Sequence, residues 1–216
     1  MSETVTAAPE PRRPKGEQTR DEILRVAARL ATINGLEGLS IGDLADHVGM
    51  SKSGLYAHFG SKQELQLATI DAARITFMDE VMAPAFETPR GRARVVALCH
   101  AFLSYLERGV FPGGCFFAGA ASEFSARPGP VRDRIVQVVA EFLSALEQFV
   151  REAQNLKEID PSADPGQITF ELHAILLATN NRYLLSEDPV LLDRARIAID
   201  SLAVAPKRTA SRRRRG

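Results

Sequence analysis

The chain has 216 residues, of which 45% are apolar and 25% charged, with 27 Lys+Arg against 27 Asp+Glu. That length and apolar share suffice for a small domain plus a larger one with a sizeable core. No apolar run approaches the ~18 residues of a membrane span and no signal-type apolar segment is present, so neither membrane insertion nor export is expected and the cytoplasm is the expected location.

Residues 1–18 are rich in Pro, Glu, Ser and Thr without an apolar period and read as a disordered N-terminal arm. Their Arg12, Arg13 and Lys15 are either solvated or lie against a DNA backbone or minor groove. A helix is predicted over 19–34, with Thr19 as its cap and Glu22 three residues on. Residues 40–62, SIGDLADHVGMSKSGLYAHFGSK, then carry the most specific pattern in the chain. Ser40 and Ser51 stand where helices start and can accept orphan N–H groups, which predicts helices over 40–47 and 51–59. Ala45 is small where two crossed helices meet, and Gly49 can take the positive φ of the tight turn between them. Leu44, Val48, Met50 and Leu55 form the apolar back of that turn.

Two readings fit such a unit: a helical hairpin in an all-α core, or a helix-turn-helix offering its second helix to the major groove. The outward residues favour the second. Lys52, Ser53, Gly54, Tyr56 and His58 lie on or near the face opposite Leu55, Lys62 follows, and no residue from 50 to 62 is acidic, as a surface meeting phosphate requires.

The run from Thr19 to Leu65 resembles the N-terminal DNA-binding domain of the tetracycline-repressor (TetR) family. Asn34-Gly35, the entry from Leu36 to Ile41, and the closing Leu55, Tyr56, His58 and Phe59 stand in that family's order. The resemblance implies that Ser40, Tyr56, His58 and Lys62 contact phosphates, that Lys52, Ser53 and Gly54 reach base edges, and that Phe59 packs inward. Ser51, as the cap of the recognition helix, belongs with this DNA-binding set. It also implies an all-helical second domain that binds a small-molecule inducer. Because Ser53 and Gly54 are short, part of the specificity is expected from DNA shape or bridging water.

Further helices are predicted at 61–83, 90–108, 114–124, 130–156, 165–185 and 189–203. Ser61 with Glu64, Asp164-Pro165 and Asp188-Pro189 supply start signals. The expected architecture is all-α, about nine helices, divided into an arm at 1–18, a helix-turn-helix domain at 19–62, a ligand-binding and dimerisation domain at 63–205, and a disordered basic tail at 206–216. Helix 61–83 is the expected lever between domains, ending at Pro84, where helical hydrogen bonding should stop.

In 165–185, Ile168, Leu172, Ile175, Leu176 and Thr179 form one stripe, and Phe170, Ala174, Leu177 and Leu184 another. A helix apolar on nearly two faces is either a central core helix or, with 189–203, half of a four-helix homodimer interface. Phe102, Phe116, Phe117, Phe142 and Phe149, with Cys99 and Cys115, line either a cavity or a packed core. His173 and Asn180 share one face of their helix, suiting either inducer contacts or a satisfied core. The ligand-binding candidates are Phe102, Phe117, His173 and Asn180.

Charge is unevenly placed. The tail from Pro206 carries six cations and no acid, whereas residues 1–62 hold eight basic and eight acidic residues, so attraction to DNA must be local. The tail is either a solubilising extension or a nucleic-acid clamp. Cys99 and His100 diverge by about 100° on a helix, too far for a thiolate–base pair. No CxxC, HExxH, phosphate loop or GxSxG elbow occurs, so no enzyme, cofactor or metal is expected. The expected function is a ligand-responsive regulator, most simply a repressor that releases a pseudo-palindromic operator in double-stranded DNA when its inducer binds. The alternative is a constitutive DNA-binding or protein-docking module without ligand control.

Overall fold

The computed structural model describes residues 15–202, so the expectations for Arg12 and Arg13 and for the basic tail lie outside the described residues. Among these, the fold is nine helices with no strand: α1 (Lys15–Asn34), α2 (Ile41–Val48), α3 (Lys52–Phe59), α4 (Lys62–Phe77, continued through Met78–Met82 and Ala83–Glu87), α5 (Arg92–Glu107), α6 (Phe116–Phe124), α7 (Pro130–Asn155), α8 (Pro165–Ser186) and α9 (Val190–Leu202). No helix among the described residues is long and apolar enough to cross a membrane.

The caps fall where the sequence places them. Ser40, Ser51 and Ser61 accept from the N–H groups of Asp43, Gly54 and Glu64, and Asp164 accepts from Gly166. Helix α1 differs. It starts at Lys15 rather than Thr19, so residues 15–18, expected to belong to the disordered arm, are helical.

Helix α4 also departs from expectation. The chain stays helical beyond Pro84 as far as Glu87. The Ala83 N–H donates to the Met78 carbonyl five residues back, forming a wider turn over Met78–Met82. That extra residue shifts the ladder so that Pro84 sits in the first turn of the next segment, where its missing N–H costs nothing.

Helix α1 packs against α2 and α4 of the helix-turn-helix half and also against α6. In the helix-turn-helix, Leu44, Ala45 and Leu55 are fully buried, and Gly49 is left-handed at φ 67°, its N–H donating to the Ala45 carbonyl. Phe59 is buried as well. In the second domain α8 packs on α7 and α9, with α5 beneath them. Its first stripe turns inward: Ile168, Leu172, Leu176 and Thr179 are buried and Ile175 half-buried. The second is divided: Phe170 is 68% exposed and Ala174 is exposed, whereas half-buried Leu177 and the partly exposed Leu184 face the interior cavity described below.

Since Ala45 has no space around its methyl group, Ala45→Leu is expected to lower stability by about 1–3 kcal/mol by overpacking. Denaturant unfolding measures this as a fall in midpoint at unchanged slope.

Candidate nucleic-acid interface and ligand cavity

The short α3 carries its polar side outward because Leu55 and Phe59, four residues apart, take the inward positions. Lys52, Ser53 and Tyr56 are exposed, Tyr56 by 56%, while Gly54 and His58 are half-buried. The Ser51 and Ser53 hydroxyls lie 3.2 Å apart, and Ser51 also accepts from the Gly54 N–H at 3.1 Å. A methyl group on Gly54 would stand 3.1 Å from the Ser51 hydroxyl, so the glycine serves its own cap as much as any approaching partner. The Lys52 chain lies over Gly42 in the first turn of α2. Ser40 is half-buried and its hydroxyl also meets the Asp43 carboxylate at 2.8 Å. His58 leans against Phe59, with ring centres 6.2 Å apart.

Lys62 is not free. Its ammonium donates to the Glu37 carbonyl and, at 3.0 Å, to the Glu37 carboxylate. Buried Gln66 donates to the Leu36 carbonyl at 3.0 Å and to the other Glu37 oxygen at 3.1 Å, and Arg127 lies 3.9 Å from that carboxylate. The hydrogen bonds from Lys62 and then Gln66 hold the Glu37 carboxyl below its ordinary value. No sequence signal marks Glu37, since nothing periodic links it to partners 25 and 29 positions away.

A cavity of about 590 Å³ lies among α4, α5, α6, α7 and α8, and all four ligand candidates, Phe102, Phe117, His173 and Asn180, line it. Phe142 and Cys115 join them, whereas Phe116, Phe149 and Cys99 are buried elsewhere in the core. Phe77 of α4 is the hub of its wall. It meets Phe102, Phe117 and Phe142 edge-on at 6.4, 5.9 and 5.4 Å between ring centres. Asn180 is already committed: its carbonyl oxygen accepts the Cys115 N–H at 2.8 Å and fixes the start of α6. His173 stands 6.2 Å from the Phe142 ring, and burial lowers its pKa, so it is neutral at physiological pH. Burial pushes the Cys99 and Cys115 thiols up to about 12 and about 11, which leaves both protonated and unreactive. His100 faces Asp200 at 3.3 Å, away from any partnership with Cys99. No group of His, Cys, Asp or Glu fit to hold a metal occurs among the described residues.

The cavity is joined to the helix-turn-helix unit by contacts that leave no local sequence signal. Glu123 of α6 lines the cavity and accepts the backbone N–H of Leu36 at 2.8 Å and of Glu37 at 3.1 Å. Arg29 donates to the Val110 carbonyl at 3.1 Å. The Gly113 N–H donates to Thr32 at 3.1 Å, in a contact so close that a Cβ on Gly113 would sit 1.8 Å from the Thr32 carbonyl oxygen.

Comparison with known proteins decides the family. Residues 23–69 match the description "Bacterial regulatory proteins, tetR family", and residues 91–199 match "Tetracyclin repressor-like, C-terminal domain". The chain belongs to the TetR family of DNA-binding transcriptional regulators. A TetR transcriptional regulator from Chloroflexus aurantiacus superposes with a TM-score of 0.80 at 26% identity, covering 87% of this chain and 94% of that one. The nucleoid occlusion factor SlmA of a Marinomonas species is 25% identical over 80% of this chain and 86% of its own length. The transcriptional activator FasR of Mycolicibacterium smegmatis is 31% identical over 91 residues, and the chain spans only 42% of that protein.

The Glu37 carboxylate contributes stability above its ordinary unfolded pKa of about 4.3, and that contribution is lost as pH falls through its lowered folded value. In Lys62→Met, which removes the largest cause, an NMR titration of the Glu37 side chain is expected to move up toward the ordinary carboxyl range.

Proposed function

We propose that this TetR-family regulator is a homodimer that binds a pseudo-palindromic operator through α3 of each subunit and releases it when a small molecule fills the cavity. The observation that carries the reading is one body holding both parts. An acid-free helix face bearing Lys52 stands beside the Lys62 end of α4, and a preformed cavity is walled by Phe77 at its other end. Lys52 and Ser53 at the start of α3 are positioned to reach base edges, with Gly54 admitting close approach. Ser40, Tyr56, His58 and Lys62 contact phosphates. Lys62 spends two of its three donors on Glu37, and the third remains for phosphate. Ser51 acts by fixing the first turn of α3.

Dimerisation is proposed through helices near 165–185 and 189–203. The outward Phe170 on α8, Leu185 at 88% exposure and Ile197 on α9 at 67% make an apolar surface that a second copy would bury in a four-helix arrangement. Two α3 helices must then stand about 34–36 Å apart to enter successive major grooves. Phe77 carries the cavity wall on α4, whose other end holds Lys62 beside α3, so a shift of Phe77 alters that separation. Phe102, Phe117, His173 and Asn180 are the proposed ligand-lining set.

Repression is the simpler mode, since an occupied operator blocks access, although FasR bears the name of an activator. A second reading, constitutive DNA binding with protein docking, is favoured by the likeness over most of the chain to a nucleoid occlusion factor. The cavity weighs against it.

With DNA selected from a random pool, Tyr56→Ala is expected to weaken binding to all sequences about evenly, by about 1–3 kcal/mol. Lys52→Ala is expected in addition to relax base preference at one position of each half-site. Gel-shift titrations at several salt concentrations measure both. Unchanged binding by the double variant rules out this face.

A further inference from the structure

Two features of the cavity wall bear on what it accepts. Four aromatic residues, Phe77, Phe102, Phe117 and Phe142, line it together with aliphatic side chains such as Val138 and Leu177. Its charge is one-sided: among the described residues that line it, Glu123 is acidic, none is Lys or Arg, and His173 is neutral because burial disfavours its cation. An anion entering would lose its water without gaining a cation. An organic cation would gain the Glu123 carboxylate and the negative faces of the rings, in surroundings less screened than bulk water.

That carboxylate is also the contact that ties the cavity to the DNA-binding helices. Its two oxygens accept the N–H groups of Leu36 and Glu37 at 2.8 and 3.1 Å. The next residue outward in the chain of contacts, Glu37, is gripped by Lys62 and Gln66 at the start of α4. A ligand N–H or ammonium drawn to Glu123 therefore competes for the same oxygens that position the α1–α2 loop.

We infer that the cavity selects an aromatic or otherwise apolar molecule bearing a cationic, N–H-donating group, and that this group acts on the DNA-binding helices by drawing Glu123 away from Leu36 and Glu37. The inference rests on the ligand-controlled reading above and adds to it the charge of the ligand and the residue that senses it. Glu123 is a ligand-binding and positioning residue in this scheme. No bond is made or broken.

Three probes with one naphthalene body test the charge rule: 1-naphthylmethylamine, 1-naphthylmethanol and 1-naphthoate. Thermal unfolding of the full chain, where a bound probe raises Tm by mass action, ranks them, and a gel shift on the selected operator reads release. The amine is expected to bind at least about tenfold tighter than the naphthoate, with the alcohol between, and to free the operator at the lowest concentration. Glu123→Gln is expected to erase that ranking while Glu123→Asp keeps it, a comparison a merely structural role would not produce. The wild-type ranking stands as a test even if neither variant folds. Tightest binding by the naphthoate or the alcohol overturns the inference while leaving ligand control intact, and so does stabilisation by none of the three at millimolar concentration. Failure of the ligand-free protein to bind any selected DNA overturns both readings together.

Discussion

The carboxylate of Glu123 accepting two backbone N–H groups at the end of α1 is the contact on which the relation between the two halves of this chain depends. Backbone donors next to a helix C-terminus would otherwise need water, and a charged acceptor makes a stronger bond than a neutral one. The Leu36 and Glu37 amides are thereby committed to a side chain of the cavity wall. The close approach of Gly113 to Thr32 and the bond from Arg29 to Val110 line up beside it. Together they make α1 a shared element: it is the first helix of the DNA-binding unit and a wall against which α6 is seated.

Those contacts give two connections between the cavity wall and Lys62. Helix α4 joins cavity and DNA through covalent continuity, with Phe77 among the cavity rings and Lys62 beside α3. Its wide turn at Met78–Met82 lies directly after Phe77. The second connection runs from Glu123 through Leu36 and Glu37 to the same Lys62. Both end at Lys62, the residue at the start of α4, so the two connections meet in one place.

What could be read from the sequence was local. Caps at Ser40, Ser51 and Ser61, the wedge at Ala45 and the left-handed Gly49 are decided within a few residues, and each leaves a residue-type signature. The two stripes of α8 were legible because burial follows a helical period: the first is buried, while the second is divided between exposed Phe170 and Ala174 and the cavity-lining Leu177 and Leu184. The same period placed His173 and Asn180 on one face, which does turn to the cavity. What stayed hidden was long-range polar pairing. Glu37 with Lys62 and Gln66, Glu123 with Leu36 and Glu37, and Asn180 with Cys115 link residues from 25 to 87 positions apart, and a lone polar residue carries no period to reveal its partner. Pro84 misled for a related reason: the rule that proline ends a helix holds for a regular ladder, and α4 changes its ladder one turn earlier.

The central claim is that cavity and DNA-binding helices communicate through the Leu36 and Glu37 amides. Residue-resolved hydrogen exchange tests it most directly, by comparing the wild type with Glu123→Ala, in which the acceptor is gone. The account predicts much faster exchange at Leu36 and Glu37 and, to a smaller degree, across the first turn of α4 through Glu37 and Lys62, with the core amides around Leu44 and Leu55 unchanged. Protection at Leu36 and Glu37 equal to that of the wild type would contradict it.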